Sequence, residues 1–190
     1  MSIRQVIVDG TLRPDGTLEL DQKPDVAAGR VKVIVQTVPE PGEKGNDTWP
    51  GDSWKHGGAP IWVTGSYDPV TNLTFWGTGN PNPGWNGGPR NPGDNLYADS
   101  VVALDADTGK LTWHYQFTPN DEFDWDSVQV PVLADLDWKG KPRKVMLWAN
   151  RNGFVYVLDR TTGEFLLGKA FVKQNWNLGF DNGRPVKDPK

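Results

Sequence analysis

The chain has 190 residues, a formal net charge of −4 and a charged fraction of 23%, with 10 Trp, 22 Gly, 16 Pro and no Cys. That length holds one domain, or one domain with a small appendage, and the Gly, Pro and Trp content favours short strands, tight turns and large anchors over long helices. Without Cys there is no disulfide, thiolate nucleophile, zinc ribbon or blue-copper centre; 2 His cannot build a multi-His metal site, and no Lys/Arg cluster denser than KGKPRK (139–144) offers a nucleic-acid footprint.

The start, MSIRQVIVDG, has neither a basic n-region nor an apolar h-region, and no run approaches the ~18 apolar residues of a membrane span. As written, the sequence is expected in the cytoplasm and away from membranes. Residues 1–38 alternate in three period-two runs, IRQVIVDG, TLRPDGTLEL and RVKVIVQTV, separated by Gly, Pro and Asp. Each reads as a strand. Three short strands are marginal alone, so a partner copy or the rest of the chain is expected to cover them. LELDQKPDVAAGRVKVIV resembles the short antitoxin-like β domains of prokaryotes. That resemblance implies a regulatory or DNA-binding role, which the acidic balance disfavours. PEPGEKGND (39–47) has linker composition and marks the domain boundary.

From Thr48 the texture changes. ALDADTGKLTW (103–113) and VLDRTTGEFLL (157–167) align, with Asp105 and Asp159 at equivalent places, and SYDPVTNLTFW (66–76) is a weaker third member. A strand, an Asp-x-x-Thr-Gly turn and a second strand, repeated at about 40–50 residues, indicate propeller blades. The fold expected is all-β: a partial β-propeller of two to three such blades over 48–190, behind a small N-terminal β unit. Residues 79–95, GNPNPGWNGGPRNPGDN, are too rich in Pro and Gly for a regular element and read as a functional or mobile loop.

In DEFDWD (121–126) an extended chain would put Glu122, Asp124 and Asp126 on one face and Phe123 and Trp125 on the other. Such a pattern is either a wet strand edge with acidic gatekeepers or a cation site, because close carboxylates repel unless a cation neutralises them. Hard cations take oxygen ligands.

Taken together, TWPGDSWKHGGAPIWVTGSYDPVTNLTFWGTGNPNPGW, the Asp-turn repeat, TPNDEFDWDSVQVPVL and ANRNGFVYVLDRTTGEFL resemble the central part of the quinoprotein alcohol dehydrogenases. Those enzymes use pyrroloquinoline quinone (PQQ) with a bound metal ion. The match runs nearly continuously from Thr48 to Lys190 and covers about a quarter of such an enzyme, a propeller of about eight blades. The resemblance implies that Trp62 is the floor against which the quinone stacks and that Asn80 is an amide-oxygen ligand of the metal. It implies that Asp124 is a metal ligand and the catalytic aspartate, taking the alcohol proton as hydride passes to the quinone carbonyl. Asp126 matches the extra carboxylate of the lanthanide-using branch, and Arg151 matches the cation that contacts the quinone oxygens.

The implied cofactors are PQQ and a lanthanide or Ca²⁺, the implied partners an alcohol and an electron-acceptor protein, and the implied compartment the periplasm. The matched stretch lacks the family's glutamate ligand and its adjacent-cysteine disulfide, so impaired oxidation is expected. One alternative is a non-catalytic propeller fragment that binds a metal ion. A homo-oligomer is expected in either case, because a partial propeller leaves apolar blade faces to be covered.

Overall fold

Three Asp-led turns shape the repeat. Asp68 accepts the Val70 N–H (3.0 Å) and the Thr71 hydroxyl (2.9 Å). Asp105 accepts the N–H and the hydroxyl of Thr108, both at 2.8 Å, and Asp159 accepts the Thr161 N–H at 2.9 Å. Each side chain satisfies backbone donors that a tight turn strands. Gly109 (φ +70°) and Gly163 (φ +78°) then supply the left-handed residue that lets the second strand fold back.

The computed structural model describes residues 10–13, 15, 17–25 and 44–189, in two compact units, Met1–Thr37 and Val38–Lys190. In the first unit, β1 (Gly10–Leu12) and β2 (Leu18–Leu20) pair antiparallel with Gly10 opposite Leu20. TLRPDGTLEL, expected to be one strand, is therefore a hairpin. Its reversal is local: Asp15 accepts the Thr17 N–H at 2.9 Å, and the Arg13 N–H bonds the Thr17 carbonyl at 2.8 Å. The strands expected at IRQVIVDG and RVKVIVQTV, apart from Gly10, lie outside the described residues, as do residues 39–43 of the linker.

The second unit holds two four-stranded antiparallel sheets. The first runs β3 (Ser66–Asp68), β4 (Leu73–Gly77), β5 (Ser100–Asp105), β6 (Leu111–Gln116) in spatial as in chain order. The second runs β7 (Val132–Trp138), β8 (Lys141–Ala149), β9 (Phe154–Asp159), β10 (Phe165–Ala170) likewise, and a hairpin, β11 (Asn177–Asp181) with β12 (Arg184–Lys187), follows. These are two up-and-down blades and part of a propeller, as the repeat implied. The described residues contain no α-helix, and among them no helix is long and apolar enough to cross a membrane.

Period-two alternation puts Leu73, Phe75, Val101, Ala103, Trp113 and Tyr115 of the first blade into one buried cluster with Met146, Trp148, Phe154, Tyr156 and Leu158 of the second. Phe117 joins the blades, its ring centroid 4.9 Å from Trp148 and 4.8 Å from Tyr156. Burying each such side chain contributes about 1.5–3 kcal/mol. Gly163 is also where the blades lock: a Cβ there would sit 2.7 Å from Trp113 Cε3, so the Trp113 ring rests on the bare turn of the next blade.

In an up-and-down sheet alternate connections emerge at the same end. The β4–β5, β6–β7 and β8–β9 connections and the segment entering β3 therefore gather at one end of the two blades, and every site residue expected from the sequence sits in one of them.

Candidate cation and cofactor site

The segment entering β3 is laced to the β4–β5 loop. The Ala59 N–H bonds the Asn80 carbonyl at 3.0 Å, the Gly79 N–H bonds the Pro60 carbonyl at 2.9 Å, and Gly58 bridges to Pro81. This brings Trp62 over Gly79, where an added Cβ would lie 2.6 Å from Trp62 Cζ3 and 2.9 Å from Asp126 Oδ1. A glycine is required because ring and carboxylate both close on its backbone. The Trp62 side chain remains 56% exposed, a flat apolar face open on one side.

DEFDWD is a loop rather than the strand that its alternation suggested. Asp121 decides this, because its carboxylate accepts the N–H groups of both Phe123 and Trp125 at 2.8 Å. Those donors are thereby used up locally instead of in a ladder. Asp124 (φ +59°) and Asp126 (φ +48°) adopt the left-handed conformation. Asp tolerates it better than most residues. Of the three acids expected on one face, Glu122 leaves the group and pairs with Lys187. The aromatic half of the expectation holds: Phe123 and Trp125 stack with centroids 4.2 Å apart.

Asp126 is the hub. Its Oδ1 accepts the Asn80 N–H at 3.0 Å and its Oδ2 accepts Arg151 Nη1 at 2.9 Å. Asp124 and Asn80 both approach Gly84: a Cβ there would be 2.7 Å from Asn80 Nδ2 and 3.7 Å from Asp124 Oδ1. The Asn80 Nδ2 donates to the Pro81 carbonyl at 2.9 Å, which turns the amide oxygen into its free ligand atom. The Arg151 turn between β8 and β9 is pinned to the same loop, with Asn150 Nδ2 donating to Ser127 Oγ at 2.9 Å. Trp62, Asn80, Asp124, Asp126 and Arg151 thus form one constellation although 89 residues separate the first from the last.

Several neighbours carry no signal in the sequence. Asp99 is fully buried just before β5, and neither of its carboxylate oxygens has a hydrogen-bond partner among the described residues. Burial, then the nearby carboxylates of Asp121 and Asp126, push its pKa well above the ordinary range. Burial likewise raises Asp121 against the pull of its two N–H donors. The Arg90 guanidinium already favours ionisation of both carboxyls, and a bound cation would act in the same direction.

The donors fit a hard cation in kind, an amide oxygen and two carboxylates. No group of three or more His, Cys, Asp or Glu side chains that could hold a metal occurs among the described residues. Further oxygens are therefore needed to reach the roughly six to eight that a calcium-sized ion takes. A cleft lined by Tyr97, Leu111, Trp113 and His114 shares no residue with this constellation.

Residues 25–169 match the family model of the PQQ glucose/ethanol/alcohol dehydrogenase β-propeller domain. The quinoprotein alcohol dehydrogenase PedH of Pseudomonas putida is 52% identical over 147 residues, which is 76% of this chain and 24% of that protein. The lanthanide-dependent methanol dehydrogenase of Methylacidiphilum fumariolicum is 44% identical over 152 residues, 79% of this chain and 24% of that enzyme. A europium-containing methanol dehydrogenase superposes with a TM-score of 0.73 at 44% identity, covering 80% of this chain and 26% of that one. The chain spans about a quarter of the length of these relatives. With two blades, a further hairpin and the matched residues in place, the chain belongs to the PQQ glucose/ethanol/alcohol dehydrogenase β-propeller family.

Proposed function

We propose that this chain carries the cation-binding and cofactor-facing segment of a PQQ-dependent alcohol dehydrogenase, with a lanthanide or Ca²⁺ as the metal and a small alcohol as substrate. One observation carries the reading: Asp126 holds the Asn80 backbone on one oxygen and Arg151 on the other, with the Trp62 face against the adjoining Gly79. Asn80 Oδ1, Asp124 and Asp126 are the metal donors, and a trivalent ion gains from the second carboxylate. Trp62 offers a rigid plane for stacking a flat ring. Arg151, whose side chain is 56% exposed, has reach to turn its guanidinium toward quinone oxygens.

PQQ, when bound, would supply the two-electron oxidant for the alcohol. The chain's own part is proton transfer and positioning. Asp124 accepts the hydroxyl proton on its carboxylate, and the turn built by Asp121 fixes where that carboxylate stands. An electron-acceptor protein in the periplasm would complete the cycle as the chain's partner, a reading that the likeness to quinoprotein alcohol dehydrogenases supports.

The test is dye-linked oxidation of ethanol by the purified chain with PQQ and lanthanum chloride added. Slow turnover is expected, falling by about 10²–10⁴-fold in Asp124→Asn, the usual worth of a general base. Brisk oxidation with neither cofactor nor metal added would overturn the reading.

A specific observation also favours self-association. β7 is the edge strand of its sheet, and Val132 and Leu136 on it, with Val130 just before it, are 56%, 40% and 52% exposed. Apolar side chains along an open edge mark a pairing surface. A homo-oligomer is the expected state, and a monodisperse 21.1 kDa monomer in light scattering at micromolar concentration would contradict it.

A further inference from the structure

Asn80 and Asp124 lie 44 residues apart on two loops without regular structure, which meet where Asp126 Oδ1 accepts the Asn80 N–H. Arg90 supplies a second tie between them. It sits in the β4–β5 loop with its side chain fully buried, an unusual place for a guanidinium unless its donors are used.

They are used on both loops at once. Nε donates to the Pro83 carbonyl at 3.0 Å and Nη2 to the Gly84 carbonyl at 3.4 Å, both within the stretch that follows Asn80. The same Nη2 donates to the Asp121 carbonyl at 2.5 Å, on the residue whose carboxylate builds the Asp124 turn. Nη1 donates to Asn95 Oδ1 at 2.7 Å. Asn95 is itself anchored, its Nδ2 donating to the Arg90 carbonyl at 3.1 Å while its Oδ1 also accepts Asn120 Nδ2 at 2.9 Å.

We propose that Arg90 is the positioning residue of the cation site: its guanidinium clamps the Asn80 loop to the Asp121–Asp126 turn and so sets the distance between the two sets of donors. The inference rests on the cation-site reading above and adds a residue that touches neither metal nor quinone. A planar fork with donors in fixed directions suits this task, whereas a lysine ammonium keeps the charge and loses the geometry. Gly84, whose carbonyl Arg90 holds, approaches Asn80 closely: a Cβ there would sit 2.7 Å from Asn80 Nδ2.

Two measurements on the full chain test the clamp. Amide hydrogen exchange, without metal, should be faster in Arg90→Lys than in the parent within residues 79–84 and 121–126 together, with the β-sheet amides unchanged. Europium titration, read by luminescence in H₂O and D₂O, should show about 10–100-fold weaker binding, the size typical of losing an outer partner of a metal ligand. The bound europium should also retain more water, because one protein donor no longer reaches it. A purely structural role would lower stability but leave the hydration number of the bound ion unchanged.

Should Arg90→Lys fail to fold, Asn95→Ala, which removes one of the guanidinium's acceptors, carries the same two readouts at smaller amplitude. Parent-like exchange, affinity and hydration number in the folded variant would overturn the proposal. Linked loosening of both loops in a chain that binds no europium would uphold the clamp and sink the metal-site reading, so the two failures are distinguishable.

Discussion

Arg160→Ala is expected to cost the fold about 3–5 kcal/mol, the range for removing one partner of a buried ion pair. Arg160 follows β9 in the second blade and reaches Asp68 at the end of β3 in the first, Nε to Oδ2 at 2.8 Å, with side chains 7% and 3% exposed. Its Nη1 also donates to the Ala134 carbonyl at 2.7 Å and to Asp135 at 2.6 Å. Truncation leaves the Asp68 carboxylate buried with only the donors of its own turn, and the blades lose their one charged tie at this edge among the described residues. Asp135→Ala is the control. That carboxylate is 65% exposed, so its loss should cost no more than about 1 kcal/mol. Urea unfolding decides, and equal losses in the two variants would show that the pair does not hold the blades.

The same pair has a pH signature. Burial alone would raise the Asp68 pKa, but the hydrogen bond from Arg160, those from Val70 and Thr71 and the attraction of Arg160 outweigh it and hold the carboxyl below its ordinary value. A folded pKa below the unfolded one means that the contribution is fully present above the unfolded value of about 3.9 and is lost as pH falls through the folded value. Arg160→Ala should therefore flatten the acid limb of the stability curve as well as lower its plateau.

Asp126→Ala is expected to weaken lanthanide binding by at least about tenfold, with calcium less affected. The attraction lost scales with the charge of the ion, and the variant also releases Asn80 and Arg151 from their common anchor. Asp126→Asn separates the two effects. An amide can still accept the Asn80 N–H, so the loop should keep its place while the preference for a trivalent ion disappears. Terbium luminescence and calorimetry with calcium provide the comparison. Equal losses for both ions would show that Asp126 serves only as a structural anchor, and no binding by the parent chain at millimolar terbium would remove the cation site altogether.

The features legible in the residues alone are local or repetitive. Period-two runs and the Asp-x-x-Thr-Gly turns at Asp105 and Asp159 specify strands and hairpins, because side-chain alternation and turn hydrogen bonds act within a few residues. The resemblance named Trp62, Asn80, Asp124, Asp126 and Arg151, and the fold collects them because alternate connections of an up-and-down sheet share one end. The remainder depends on contacts between distant segments. DEFDWD has the alternation of a strand, yet Asp121 captures two of its N–H groups and Lys187 draws Glu122 away, so only two of the three acids stay at the site. Arg90, within a loop of Pro and Gly, and Asp99, just before β5, carry no signal in the sequence. Their burial depends on groups from distant segments, such as Asp121, that pack around them only when the blades close. Periodicity reports which face a side chain takes along its own strand; it carries no term for the donors and charges that folding brings in from elsewhere.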